Sequence, residues 1–292
     1  MKLKFNNIKL KGHRSFYLRD GWINKGLNNV DAFNIDHSVD ELGVGSTMVN
    51  AIRYYLITTD LVKKERKGRR VFIRLTENFG KKIKKYDKYL ENPNTVWLLH
   101  YKFVSNAEMS TTFSIFFNEF EYDDFTKEEI IKFVENYIEK EIPGEKFSSK
   151  SIKSDVNCLI NNYNITYNRK NKTPEDNLIS PFVDLGLIKK INRESETYYK
   201  KNKPNINKLS ELVIMYVILD MIGNKKYISI EKLYSGVNSP KKVFNLDRFM
   251  LNQYIDKLES EGYIDVNRTA GLNQIYINNR DKIKLIDKLY MN

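Results

Sequence analysis

Five side chains that can bind phosphate or move a proton lie within eight residues near the N-terminus. Residues 12–22 read GHRSFYLRDGW. Arginine binds phosphate through paired hydrogen bonds, and histidine, tyrosine or aspartate can transfer a proton or attack phosphorus. The catalytic candidates are therefore His13, Arg14, Tyr17, Arg19 and Asp20. The alternative interpretation is that Phe16, Leu18 and Trp22 anchor this segment to the first domain while its charges cap neighbouring elements.

A second group of candidates is acidic. Carboxylates can hold Mg²⁺ or Mn²⁺ for phosphodiester cleavage, with a Lys or Arg stabilising the charge on phosphorus. The carboxylates in question are Glu119, Glu121, Asp123 and Asp124. We favour the simpler interpretation of an acidic loop before a helix at Thr126. The sequence identifies no metal ligands.

Other kinds of site are excluded by residue types that are rare or missing. The single cysteine, Cys158, rules out a disulfide framework and a cysteine-cluster zinc site. There is no Walker-type phosphate loop and no GxGxxG motif, so no nucleotide cofactor is expected. His100 and Lys102 have the His-x-Lys spacing of some phosphodiesterases, but the expected aspartate is absent.

Composition indicates a folded, soluble chain. Apolar residues make up 41% of the 292 residues and aromatic residues 13%, which argues against global disorder. No apolar run approaches the ~18 residues that a membrane span needs. The N-terminus has no apolar stretch of the signal-peptide type. We therefore expect a cytoplasmic protein without a membrane segment.

The positive charge is concentrated in one part of the chain. The net charge is +12, and residues 61–90 alone carry +9, whereas residues 107–147 carry −7. A lysine-rich run is often only a solvated helix face. The elements around this run favour a surface that binds nucleic acid.

Residues 38–75 have the pattern of a winged helix-turn-helix. A short helix with Ser38 as its N-cap is followed by Gly43-Val-Gly45, and Ser46 caps a second helix with apolar residues at helical spacing. Two short strands follow, 61–63 and 70–74, with a cationic tip at 64–69. In this architecture the second helix enters the major groove and the hairpin contacts phosphates.

A DNA surface follows from that pattern and from the helix predicted over 76–90, which continues the basic face. The predicted DNA contacts are Ser46, Thr47, Asn50, Arg53, Tyr54, Lys63, Lys64, Arg66, Lys67, Arg69, Arg70, Lys81, Lys82 and Lys85.

The same order of elements recurs twice along the chain. Between the copies, the aromatic segment 93–125 and an amphipathic helix over 126–141 predict buried packing. The fold class expected is mainly α with small β-hairpins (α+β), with tandem winged-helix-like units around a helical middle region. Four domains are predicted: an N-terminal winged helix (1–92), an aromatic and acidic helical region (93–147), a second winged-helix-like unit (148–207) and a C-terminal winged helix (208–292). The second unit includes a helix predicted over 174–185.

Four blocks of the chain resemble a bacterial family of DNA phosphorothioation and phage-defence clusters, the SspB-like proteins. Residues 12–25 resemble its opening block GHExFxLRxGWLxK, and residues 42–55, LGVGSTMVNAIRYY, resemble LGVGKNMVNAIRYW. Residues 92–101 and 116–120 are similar to its PxTLWLLHW and FFNxF blocks. The chain departs from the family pattern at Arg14, where Glu is usual, and at Ser46 and Thr47, where Lys-Asn is common.

The resemblance implies a DNA nickase, metal-dependent with Mg²⁺ or Mn²⁺, that opens the backbone before sulfur replaces a non-bridging oxygen. It also implies partners from the same gene cluster: a cysteine desulfurase, an ATPase and an ATP-pyrophosphatase-like sulfur transferase. Arg14 puts nicking in question if the family's Glu is a ligand or base. Two alternatives stay open, a non-catalytic DNA-binding adaptor or transcriptional regulator, and a docking scaffold for the sulfur-transfer machinery.

Overall fold

A computed structural model describes residues 2–35, 37–165, 178–193 and 196–291. Helices hold more of the described residues than strands. The helices are α1 Trp22–Asn28, α2 Ser38–Leu42, α3 Ser46–Thr58, α4 Gly80–Tyr86, α5 Pro93–Ser105, α6 Thr111–Asn118, α7 Lys127–Glu141, α8 Ser149–Tyr163, α9 Glu211–Ile222, α10 Ile230–Ser235, α11 Pro240–Val243, α12 Arg248–Ser260 and α13 Lys282–Leu289. The strands are β1 Val62–Lys67, β2 Arg70–Leu75, β3 Asp124–Phe125, β4 Ile188–Arg193, β5 Glu196–Lys201, β6 Tyr227–Ser229, β7 Ile264–Asn267 and β8 Gln274–Ile277.

Several predicted element ends were wrong. His37 and Gly45 occupy the N-cap positions of α2 and α3, and neither helix has a side-chain cap, so Ser38 and Ser46 are first helical residues. The predicted helix over 76–90 is shorter, because Asp87 ends α4 in a non-helical conformation. The predicted helix over 174–185 begins outside the described residues, and its described part forms a 3-10 helix over Pro181–Leu185.

The hairpin after α3 is longer than predicted. β1 and β2 pair in antiparallel register from Val62 with Leu75 to Lys67 with Arg70. Only Gly68 and Arg69 remain at the tip, where Gly68 has φ +63°, a conformation that favours glycine. Most of the predicted tip cations therefore lie on strand faces, and alternate residues point to opposite sides of the hairpin.

A side chain occupies the edge of β2 where a third strand would pair. Asn34 Nδ2 donates to the Ile73 carbonyl at 3.1 Å, and the Ile73 N–H donates to Asn34 Oδ1 at 2.6 Å. The side-chain amide thus makes the pair of hydrogen bonds that a neighbouring strand makes with its own backbone. This contact fixes the hairpin against the 3-10 helix over 30–34.

The other two sheets have three antiparallel strands each. Their strand orders are β3-β5-β4 and β6-β8-β7, so in each sheet the last strand in sequence lies in the middle. β3 pairs with β5 through Phe125 and Tyr199. This sheet therefore joins residues on both sides of the predicted boundary at 147.

Helices α5 and α6 form the centre of the core, as the aromatic pattern of 93–125 predicted. Trp97, Phe103, Phe113 and Phe116 are at most 1% exposed. His100 is buried among them, bonding to Tyr163 Oη and to the Val243 carbonyl at 2.7 Å each. The buried apolar residues of the described chain form one continuous cluster. Among the described residues, no helix has the length and hydropathy needed to cross a membrane.

Candidate nucleic-acid interface

A groove of about 720 Å³ opens between three parts of the N-terminal region. Its walls are the segment 9–15, the exposed side of α3 and one face of the β1–β2 hairpin. We call it the basic groove, because five cations line it and, among its described lining residues, none is Asp or Glu. These five are Lys9, Lys11, Arg14, Arg53 and Lys64.

Helix α3 presents the polar side of the groove. Thr47, Asn50 and Arg53 lie one helical turn apart on one face, as their spacing predicted. Asn50 Oδ1 accepts a 2.5 Å hydrogen bond from Arg53 Nη2, while Asn50 Nδ2 donates to the Ser46 carbonyl. The amide therefore orients the guanidinium toward the groove and has its own groups occupied.

The cations of the groove repel one another. Burial lowers the pKa of Lys9, and Lys64, Arg14 and Arg53 lower it further by their positive charge. Within the described ranges, none of the five groove cations forms an ion pair with a carboxylate. Unpaired cations with few acids nearby create a field that attracts anions.

Tyr54, one of the predicted DNA contacts, is mostly buried and has a structural role at the groove. Its side chain is 6% exposed, and its hydroxyl donates to the Met109 carbonyl at 2.9 Å. The ring lies directly beneath Gly12, where an added Cβ would be 2.3 Å from Tyr54 Cε2. Tyr54 therefore supports the segment 9–15 from below.

The predicted catalytic residues do not meet at one point. Arg14 lines the basic groove, whereas His13 is 1% exposed and bonds through Nε2 to Asp155 at 2.8 Å. Tyr17 Oη donates to the Leu178 carbonyl at 3.1 Å. The exposed Asp20 accepts a hydrogen bond from the Gly21 N–H.

Arg19 is buried in an aromatic setting. Its side chain is 5% exposed, and its guanidinium lies 5.3 to 5.8 Å from the ring centroids of Phe16, Tyr17 and Trp22. Leu18 is fully buried beside it. These contacts agree with the interpretation that the apolar residues anchor this segment.

The surroundings of His13 shift its pKa in opposite directions. Burial disfavours the charged ring, but Cys158 and the hydrogen bond to Asp155 together raise the pKa of His13. The Ser15 N–H donates to His13 Nδ1 at 3.0 Å. A proton on Nδ1 would place two donors face to face, so this hydrogen bond fits a neutral ring with its proton on Nε2, toward Asp155, and it opposes the charged form that Cys158 and Asp155 favour.

The predicted hairpin contacts divide between two faces. Lys64 lines the groove with Val71 and Ile73, and by strand alternation Arg66 shares that face. Lys63 pairs in register with Arg74, and Lys67 with Arg70, on the opposite face. The structure therefore places Lys63, Lys67 and Arg70 away from the groove, and Arg69 at the tip.

The lysines of α4 have partners within the protein. Lys81 forms an ion pair with Glu77 at 2.7 Å, and Lys82 with Asp287 of α13 at 2.5 Å. Lys85 Nζ lies 4.7 Å from the centroid of the Tyr86 ring. Part of the positive charge of residues 61–90 is thus used in contacts within the protein, including an ion pair between α4 and the C-terminal helix.

Two other sequence candidates are separate from the groove. Lys102 contacts Asp60 at 3.3 Å and Asp220 at 3.6 Å. Burial opposes the charge, but Tyr216, Asp220 and Asp60 together raise the pKa of Lys102. Glu121 and Asp123 lie in a second cleft beside Lys201. In the part of the chain that the structure describes, no three His, Cys, Asp or Glu side chains converge as metal ligands.

Sequence reasoning missed Lys9, Lys11 and Asp155. The lysines alternate with Leu10 just before Gly12, a weak signal that they share one side of an extended segment. Asp155 had no signal, because it contacts residues more than 140 positions away.

Comparisons with known proteins identify the fold and the family. The solved structure "Magnesium ion-bound SspB crystal structure" has a TM-score of 0.82 and 20% identity, covering 98% of this chain and 88% of that one. A second, "SspB crystal structure", has a TM-score of 0.81 with the same identity and coverage. No curated protein matches the chain. The family model "Protein of unknown function (DUF4007)" matches residues 10–290. The chain therefore belongs to the DUF4007 family and shares the fold of SspB, which confirms the family resemblance found in its sequence blocks.

Proposed function

We propose that this protein binds DNA and holds its sugar-phosphate backbone in the basic groove, as a component of a bacterial DNA phosphorothioation defence system. The observation that carries DNA binding is the convergence of five cations that form no ion pair with a described carboxylate, in a groove with no Asp or Glu among its described lining residues. Phosphate contacts from Lys and Arg supply most of the sequence-independent affinity for DNA.

The arrangement of elements supports a winged-helix mode of binding. Helix α2, a turn, helix α3 and the hairpin follow each other in the order of a winged helix, with α3 and the hairpin on either side of the groove. The strand orders β3-β5-β4 and β6-β8-β7 suit two further such units. We therefore propose three winged-helix units, with the second beginning near α6 rather than at residue 148.

The proposed pathway rests on the family. The SspB fold and the four similar sequence blocks favour a role in sulfur modification of DNA. On this proposal the partners are the cysteine desulfurase, the ATPase and the ATP-pyrophosphatase-like sulfur transferase of the same gene cluster, in the cytoplasm. A pull-down against these gene products tests this assignment, and no capture at low or high salt argues against it.

Nicking is a second candidate function, suggested by the family resemblance. The similar magnesium-bound structure raises the question of a divalent cation here. The basic groove does not fit one, because Mg²⁺ prefers oxygen ligands that include carboxylates and the described groove residues supply five cations and no acid. We therefore assign the groove to backbone binding alone.

A supercoiled-plasmid assay with Mg²⁺ or Mn²⁺ tests nicking, with and without the partner proteins. A nickase converts the supercoiled plasmid to nicked circles. If metal-replete protein leaves the plasmid supercoiled in both conditions, nicking is excluded and the adaptor function remains.

DNA binding is tested by replacing two cations of the groove. The double variant Arg53→Gln and Lys64→Gln should weaken binding of duplex DNA and reduce the slope of log affinity against log salt by about 2, roughly 0.9 for each lost phosphate contact. Fluorescence anisotropy of a labelled oligonucleotide over a salt series measures both. Single-stranded DNA of the same sequence identifies the preferred form.

The matched control replaces two exposed lysines far along the chain, Lys140 and Lys146, by Gln. It changes the net charge equally and should leave the slope near that of the wild type. Equal slopes for the wild type and the groove variant would reject the groove as the DNA site.

A further inference from the structure

Three non-glycine residues of the segment 9–15 have left-handed backbone conformations. The φ angles are +53° at Lys11, +52° at Arg14 and +70° at Ser15. Such residues are strained, and they persist only where surrounding contacts determine their conformation. Lys11 and Arg14 are two of the five groove cations. The contacts that hold this segment therefore decide where these charges lie.

Those contacts converge on one carboxylate outside the groove. Asp155, on α8, is 2% exposed, and its Oδ1 accepts from the Lys11 N–H and from His13 Nε2 at 2.8 Å each. Its Oδ2 accepts from Thr112 Oγ1 at 2.9 Å. His13 continues the network by accepting the Ser15 N–H. Residues before and after Arg14 are thus both fixed, directly or through His13, by Asp155.

We propose that Asp155 is a positioning residue for polyanion binding, which holds the segment 9–15 in its strained form and so presents Lys11 and Arg14 to a phosphate backbone in the groove. This inference rests on the proposed function. Asp155 itself is not among the groove-lining residues, so it acts through the backbone and never touches the ligand.

Alanine at position 155 would remove every acceptor of this network. Both oxygens of Asp155 accept hydrogen bonds, from three donors in all. An asparagine could keep its oxygen toward the segment and donate its NH₂ group to Thr112 Oγ1, which can also accept, so the amide would preserve the bonds in question, whereas alanine has no acceptor. Asp155→Ala therefore releases the Lys11 N–H and His13 without introducing a bulkier side chain.

The test measures the affinity of the full-length protein for a labelled DNA duplex over a salt series. Asp155→Ala is expected to raise Kd about tenfold at moderate salt and to reduce the salt slope by about one to two, because Lys11 and Arg14 no longer meet phosphates together. A variant that is only less stable would contain fewer folded molecules, but those molecules would keep the wild-type slope of log affinity against log salt. Circular dichroism and thermal unfolding verify that the variant is folded at the assay temperature.

Thr112→Val is the matched control. It removes the donor to Oδ2 and leaves both bonds from Asp155 to the segment, so its salt slope should equal that of the wild type. Folded Asp155→Ala with wild-type Kd and slope overturns the inference. If wild-type protein shows no salt-dependent binding, or if Arg53→Gln with Lys64→Gln has no effect, the proposed function itself fails.

A measurement on the unmodified protein covers the case in which Asp155→Ala does not fold. The amides of Lys11 and Ser15 should exchange slowly with deuterium, and a saturating DNA duplex should slow them further. This follows because a ligand that binds the positioned segment must stabilise that form reciprocally. Unprotected Lys11 in the free protein, or protection that DNA leaves unchanged, contradicts the proposal.

Discussion

The ring of Tyr54 and the backbone of Gly12 meet in a contact that only glycine permits. A Cβ at residue 12 would lie 2.3 Å from Tyr54 Cε2 and 2.6 Å from Cδ2. Tyr54 is held from the other side by the hydrogen bond from its hydroxyl to the Met109 carbonyl. Because the ring cannot move freely, glycine at this position keeps the segment 9–15 close to α3.

Replacing Gly12 by Ala should therefore destabilise the protein and displace the groove cations. Overpacking of this kind costs about 1–3 kcal/mol, and chemical denaturation measures it. Gly45→Ala is the control, since nothing lies within 4 Å of its added Cβ and its φ of −60° suits any residue. Its effect should stay within about 0.5 kcal/mol. Equal stability of the two variants would contradict the assigned role of Gly12.

At the scale of elements, the β1–β2 hairpin depends on a side chain in place of a third strand. Asn34 pairs with both backbone groups of Ile73, which is 4% exposed. Unpaired buried backbone groups are costly, so this amide holds the hairpin in position beside α3. Lys64, directly opposite Ile73 in the register, depends on the same contact for its place in the groove.

Asn34→Ala should leave both Ile73 groups without their partner and lower the free energy of unfolding by about 1–3 kcal/mol. Denaturation gives the stability, and hydrogen exchange of the Ile73 amide gives the local effect. Asn28→Ala is matched to it, because it removes an exposed hydrogen bond to Asn24 and should change little. An Ile73 amide that exchanges as slowly in Asn34→Ala as in the wild type would show that the side chain is dispensable.

At the scale of the whole molecule, His100 joins three distant parts of the chain. It lies on α5 and bonds to Tyr163 of α8 and to the carbonyl of Val243 in α11. Its Nε2 carries the proton donated to Val243, so Nδ1 accepts from the Tyr163 hydroxyl. Burial lowers the pKa of His100 to about 4, opposed by the bond to the Val243 carbonyl.

Acid should therefore unfold the whole molecule partly through His100. The folded-state pKa lies below the unfolded value, so the contribution of the neutral ring is complete above about pH 6.5 and is lost as the pH falls to about 4. The difference amounts to roughly 3 kcal/mol. His100→Gln should flatten the dependence of unfolding free energy on pH in that window, because Gln can both donate and accept without titrating.

His37→Gln is the control, since the side chain of His37 is 82% exposed and its replacement should leave the wild-type pH dependence intact. Denaturation curves at several pH values between 4 and 7 measure the slopes. Parallel curves for His100→Gln and the wild type would mean that another group governs the acid response.

The sequence by itself determined the elements and the regions of charge. Helical spacing and glycine punctuation predicted α3, its hairpin and the later helices, because these features depend on residues only a few positions apart. They failed at Ser38 and Ser46, where the neighbouring His37 and Gly45 occupy the cap positions. The local pattern is a good guide to whether a helix forms and a poorer guide to the residue at which it begins.

Only the tertiary structure decided which charges act together. It brought Lys9, Lys11 and Arg14 beside Arg53 and Lys64, while it turned Lys82 toward Asp287. It also placed Asp155 beneath the segment that carries Arg14. These contacts join residues tens to hundreds of positions apart, and their geometry depends on the packing of the whole core. The summed charge of a segment gives the amount of positive charge, and the fold determines which of those charges lie close to a carboxylate and which do not.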